Sequence, residues 1–226
     1  MSLNGSDQTS DEDIQKWTKP LIEEFVNNGD FEETIKEISE KFSSKTIEKF
    51  IENVFNEVIE RSEKFRTQAG NLMSQLLLKK MISEDQWLIG LDSLLSFAED
   101  LLVDIPKFWD FLAEIISPVL SSRACRMTIL KESSAGLMSG SMGEKCAAGK
   151  YVGAVLTEMS KSGQQQVLHL WRDSGLDWSE FISSDVTVEV FLADNKLEWT
   201  LQAPELSTVA PPRLSMEITR LLDLNK

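Results

Sequence analysis

The sequence holds one histidine, His169, and two cysteines, Cys125 and Cys146. Without a second histidine or a Cys–His pair, the common nucleophile–base chemistries lack their parts. His169 sits among Val167, Leu168, Leu170 and Trp171 and reads as a packing or capping side chain. Two cysteines are too few for a disulfide framework or a four-ligand zinc site, so both read as free thiols. Long apolar runs are missing as well: none approaches the roughly 18 residues that a spanning helix needs. The N-terminus is polar and acidic, unlike a leader that is basic and then apolar. These absences point to the cytosol or nucleus and predict no catalytic residue, cofactor or metal ligand; a cytoplasmic monomer is the expectation. Gly143 to Lys150 comes nearest to a phosphate loop, but five residues separate Gly143 from Gly149 and Tyr151 stands where Ser or Thr would hold magnesium.

Positive charge is scarce in one half of the chain. Residues 1–121 hold 24 acidic and 12 basic side chains, a net of −12 out of −14 for all 226 residues. A domain so charged repels phosphate backbones, and no local basic patch offsets it, so strong direct nucleic-acid binding is not expected. A basic protein surface suits it better as a partner, while the plainer account is that acidic surfaces keep proteins soluble.

What the sequence has in quantity is helical periodicity. With 42% hydrophobic residues it can bury a sizeable core. Trp17, Leu21 and Phe25 share one stripe, and Phe31, Ile35, Ile38 and Phe42 form another. Asn28-Gly29 parts them, Asp30 is placed to cap the second helix, and Glu33 would complete a capping box. Ile47, Phe50, Ile51, Val54, Phe55, Val58 and Ile59 fall on one wholly apolar face, which must be buried. Ser62 opens a fourth helix carrying Phe65, Ala69, Leu72, Met73, Leu76 and Leu77. Ser83 with Gln86 is a second capping-box signal, opening a fifth helix that runs from Trp87 to Ala98. Phe108, Trp109, Phe111, Leu112, Ile115 and Ile116 belong to a sixth. Short connections between six helices predict an all-α stack of antiparallel hairpins, like HEAT repeats.

Downstream the pattern loosens. Residues 1–13 read as a disordered tail, 14–121 as the helical core and 122–150, rich in Ser, Gly and Ala, as a flexible loop. Helical spacing resumes over 151–200 as further helical pairs, and 201–226, with Pro204, Pro211 and Pro212, reads as a linker and the start of a following helix. Val186 to Phe191 is the one conflict: its β-branched residues favour a strand, whereas Ser184-Asp185 offers a helix N-cap.

The corner Glu99-Asp100-Leu101-Leu102-Val103-Asp104-Ile105-Pro106 stands out because two carboxylates four residues apart would project from one end of a helix pair. Asp100 is expected on the exposed last turn of the fifth helix, where a carboxylate opposes the helix dipole. Asp104 admits two readings, an N-cap of the following helix with Pro106 in its first turn, or a ligand for a partner's cation. As a catalytic acid and base pair the two would need a partly dry, concave site.

Glu99-Asp100, Asp104-Ile105-Pro106 and Trp109 together resemble the last interhelical corner of an MA3 domain. Ile22-Glu23-Glu24-Phe25 with Asp30-Phe31, Glu60-Arg61-Ser62, Leu76-Leu77 and Leu112-Ala113-Glu114 with Ser117-Pro118 extend the resemblance over residues 17–120. Trp171-Arg172, Gly175-Leu176, Trp178 and Phe181 resemble the region downstream of that domain in the translation initiation factor 4G scaffold family. The resemblance implies a HEAT-like fold and a partner, the DEAD-box RNA helicase of the initiation complex, held by Glu99, Asp100, Asp104 and Pro106. The implied role is modulation of that helicase. Alternatives are an MA3-type translation repressor that inhibits it and a helical module that binds RNA directly. Lys107 departs from the family's histidine, and a lysine beside the acids weakens their pull on a basic surface.

Overall fold

The computed structural model describes residues 10–138 and 145–202. Among them are ten α-helices and no strand. Helix α1 (Asp11–Asn28) begins where the Ser10 side chain accepts from the Asp13 N–H at 3.2 Å, and it ends at Gly29, whose φ of +68° suits a residue without Cβ. The tail expected over 1–13 is therefore corrected, because 11–13 already form the first turn; its other residues, except Ser10, lie outside the described ones. Helix α2 (Phe31–Lys41) is capped by Asp30, which accepts from Glu33 N–H at 3.0 Å. The second arm comes not from Glu33 but from Asn28, whose Oδ1 accepts the Asp30 N–H at 2.8 Å. Helix α3 (Ile47–Val58) buries the whole predicted stripe, and the phenyl rings of Phe42 and Phe50 meet at 4.5 Å.

Helices α4 (Glu63–Leu78), α5 (Glu84–Leu95), α6 (Ala98–Asp104) and α7 (Phe108–Ser121) complete the first part of the stack. The capping box at the start of α5 has both arms, 3.0 Å from Ser83 N–H to Gln86 and 3.1 Å from Gln86 N–H to Ser83. Two rows of helices result, α1–α3–α5 in one and α4–α7 in the other. Glycine sets the closest approach in each. A Cβ on Gly70 would lie 2.3 Å from the Ile115 carbonyl oxygen, and one on Gly90 would lie 2.5 Å from Ile51 Cγ2. Between α4 and α7, Arg66 and Glu114 form a buried ion pair of 2.7 Å, with the Arg66 guanidinium 3.7 Å above the Phe111 ring.

The rows then continue, α8 (Ile129–Ser134) against α5 and, after a 3-10 turn over Ala135–Met138, α9 (Ala147–Asp173) against α7. The flexible loop expected over 122–150 is thus corrected for residues 123–138 and 145–150, with 139–144 outside the described residues. Cys125, Met127, Ile129, Leu130 and Leu137 are all buried. Ser133 and Ser134, which gave the segment a loop-like composition, bond back to the carbonyls of Leu130 and Lys131 and so fit inside a helix. Both cysteines are free, and burial pushes the Cys125 thiol up to about 12, so it stays protonated and inert.

Helix α9 lies along α7. Tyr151 is fully buried there, 5.9 Å from the Trp109 ring, and its hydroxyl meets Ser133 at 3.1 Å. Gly149, at the end of the loop-like glycine pattern, is in the first turn of α9, where a Cβ would lie 2.8 Å from the Phe191 ring. Over 151–200, α9 is two helical segments that meet at a kink at Gly163, where the backbone is non-helical, and they are followed by a 3-10 turn at Trp178–Glu180, α10 (Val188–Asp194) and a 3-10 turn at Glu198–Leu201. Trp171, Trp178, Phe181 and Phe191 form a closed aromatic cluster with centroid spacings of 5.2 to 6.4 Å. That packing decides the conflict at 186–191 for helix. The N-cap is Thr187, not Ser184 or Asp185, and burial of Phe191 and Leu192 outweighs the strand preference of three valines. Residues 203–226 lie outside the described ones. No described helix is long and apolar enough to cross a membrane.

Candidate docking corner

The fifth helix predicted from Ser83 to Ala98 breaks before its expected end. Helix α5 stops at Leu95, where Ser96 bends the chain and its hydroxyl donates to the Ser93 carbonyl at 2.7 Å. Phe97 then accepts the first bond of α6, from Leu101 N–H at 3.0 Å. Two turns on, Ile105 N–H donates to Leu101 at 2.7 Å, Phe108 N–H donates to Ile105 at 2.9 Å, and α7 begins. Ala98 and Ile105 are buried and Leu101 and Leu102 half-buried, so they fix α6 to the stack. Glu99, Asp100, Val103, Asp104, Pro106 and Lys107 are exposed on its outer side.

This geometry corrects the structural duties expected of the two aspartates. Asp104 is the last residue of α6 and not the N-cap of α7; that position belongs to Lys107, whose side chain makes no cap bond. Asp100 is in the first turn of α6 rather than the last turn of α5. The dipole argument changes hands accordingly: Asp100 sits at a favourable helix end, and Asp104 at an unfavourable one. No described side chain forms a hydrogen bond or ion pair with either carboxylate. Lys107 is their nearest basic neighbour in sequence. Both aspartates are exposed, so neither has the partly dry surroundings that the acid–base reading requires.

Beside the corner lies a recess of about 330 Å³ between α5, α6 and α8, lined by Asp92, Leu95, Glu99, Glu132, Ser133 and Leu137 among others. Asp92 is exposed at the rim, and the partial burial of its carboxyl in the recess, with the Glu132 charge adding to it, pushes it up to about 6 from an ordinary 3.8. Sequence reasoning missed this recess because Glu132 falls in the stretch read as a loop and Asp92 on the polar side of an amphipathic helix. A carboxyl raised in the folded state gives up stability as pH climbs, since the unfolded chain ionises near 3.8 while the folded one still holds its proton. Asp92→Asn is therefore expected to raise the melting temperature over the parent at pH 7, the gain shrinking toward zero at pH 4. Thermal melts at unit pH steps measure it, and a gain independent of pH would contradict the assignment.

The sequence pattern of the MA3 domain matches residues 14–125. Eukaryotic translation initiation factor 4 gamma 1 of Mus musculus is 32% identical over 217 residues, covering 93% of this chain and 13% of that protein. Initiation factor 4 gamma 3 of Homo sapiens is 28% identical over 201 residues, 88% of this chain and 12% of that protein. Similarity thus continues well past residue 125 into α9 and the aromatic cluster, although the chain spans only about an eighth of each relative's length. The MA3 match together with the similarity to these factors, which covers most of the chain, shows that the chain belongs to the MA3-domain region of the initiation factor 4 gamma family.

Proposed function

We propose that this chain is a non-catalytic docking module of cytoplasmic translation initiation, acting as a monomer. It binds a DEAD-box RNA helicase through Glu99, Asp100, Asp104 and Pro106, and it modulates the helicase's unwinding cycle while the helicase supplies the ATP chemistry. The observation that supports this reading best is the outer side of α6, where Asp100 and Asp104 are exposed on a firmly packed corner without a neutralising side chain among the described residues. Charges held that way speed encounter with a basic surface and fix its register. Membership of the initiation factor 4 gamma family makes the initiation helicase the first partner to test.

The expected result is a saturable complex when the purified helicase is titrated into the chain, with an altered rate of duplex unwinding at saturation. Acceleration supports a scaffold role, and inhibition supports the repressor reading. The same chain, titrated with single-stranded RNA at physiological salt, is expected to show no submicromolar affinity, given the net charge of −12 over residues 1–121. Absence of a helicase complex would overturn the proposal, and tight RNA binding would put the direct RNA-binding reading in its place.

A further inference from the structure

The outer side of α6 is not purely acidic. Phe97 is 60% exposed and Val103 79% exposed, the two highest values among the large hydrophobic side chains of the described residues. Position 100 is three residues from 97 and from 103 and four from 104, so an aromatic ring, a carboxylate, a β-branched side chain and a second carboxylate share one side of α6 and its N-cap. Neither apolar side chain is needed to seat the helix, because Ala98, Leu101, Leu102 and Ile105 do that from the other side. Valine is also a weaker helix former than most residues that could occupy a fully exposed position. Single exposed hydrophobics are ordinary on protein surfaces; two of them interleaved with two uncompensated charges on one short helix are a pattern.

We infer that Phe97 and Val103 are the apolar anchors of the docking corner, fitting a partner protein surface on which Arg or Lys side chains flank an apolar patch. This rests on the docking reading above and adds to it the division of labour between charge and apolar contact. Exposed ion pairs alone hold little, because water and salt compete for both members. Apolar neighbours that exclude water from the seam lengthen the life of the complex, whereas the charges govern how fast it forms. A nucleic acid fits this face poorly, since its phosphates would meet Asp100 and Asp104.

The test is stopped-flow binding of the DEAD-box helicase at several salt concentrations to four variants. Phe97→Ala/Val103→Ala is expected to raise the dissociation rate roughly tenfold while leaving the association rate and its salt dependence as in the parent. Val103→Gln, which improves helix propensity at an exposed site, is expected to keep the melting temperature and still dissociate faster. Ile89→Ala, at an exposed apolar site on α5, is expected to change nothing. Asp100→Asn/Asp104→Asn is expected to slow association and flatten the salt dependence. If the acidic variant weakens binding but both apolar variants dissociate like the parent, the anchor inference is overturned and docking at the corner stands. If the acidic variant also binds like the parent, both are overturned.

Discussion

Arg66→Leu is expected to lower the unfolding free energy by about 3–5 kcal/mol, the cost of stranding one member of a buried ion pair. Arg66 is only 4% exposed, and its Nε donates to Glu114 Oε2 at 2.7 Å across the seam between α4 and α7. Its Nη1 also donates to the carbonyls of Arg61 and Ile59, which close the turn between α3 and α4. The guanidinium lies flat on Phe111, so one side chain satisfies a buried carboxylate, two carbonyls and an aromatic face. Leucine replaces the stem and none of the donors, leaving the Glu114 carboxylate, only 9% exposed, without the guanidinium that pairs it. The double variant Arg66→Leu/Glu114→Leu should recover a large part of the deficit, because replacing both members of a buried pair is far milder than stranding one. Urea melts of the two single variants and the double variant measure this, and an additive double variant would show that the pair is not coupled.

The second large effect is on binding. Asp100→Asn/Asp104→Asn should melt within about 0.5 kcal/mol of the parent, as surface substitutions away from special features do, yet bind the helicase far more weakly. Each charge-assisted hydrogen bond to the partner, shielded from water by the apolar neighbours, is worth about 1.5–3 kcal/mol. Asparagine keeps the size and polarity of each side chain and removes only the charge. Because Asp104 is not an N-cap, no capping defect confuses the comparison, and because Asp100 lies in the first turn of α6, a small stability decrease there has a known cause in the dipole. Calorimetric titration of parent and variant with the helicase decides it. Equal affinities would remove the corner from consideration as the docking site.

How much of the fold is legible in the sequence depends on the length over which each signal is written. The stripe of α3 covers a dozen residues with one uninterrupted apolar side, and Ser83 with Gln86 spells a cap whose two bonds are both present. The acidic corner is visible as a juxtaposition, and Glu99, Asp100, Asp104 and Pro106 are all exposed. The separate existence of α6 is not, because Ser96-Phe97 contains neither glycine nor proline and seven residues are too few to show a period. That one hidden break reverses the structural roles of Asp100 and Asp104. Likewise α8 is six residues long and reads as serine-rich, and only the burial of Met127, Ile129 and Leu130 shows what it is for. The valines at 186, 188 and 190 could not reveal that Phe191 closes an aromatic cluster begun at Trp171.

The seam between α7 and α9 has a consequence for anyone who would transplant this module. A cut at residue 125, where the MA3 match ends, looks natural in an alignment. It would strip Tyr151 from Trp109 and the whole of α9 from the outer side of α7. The apolar side chains Val152, Val155, Leu156 and Met159 that now cover that side are as deeply buried as those of α3. A fragment so trimmed would offer water a face built to be interior, and it would stick to itself or to chaperones before any helicase could be asked whether it binds. The smallest portable cassette therefore runs past Asp173, and the family boundary is a mark of shared ancestry, not a line along which the protein comes apart.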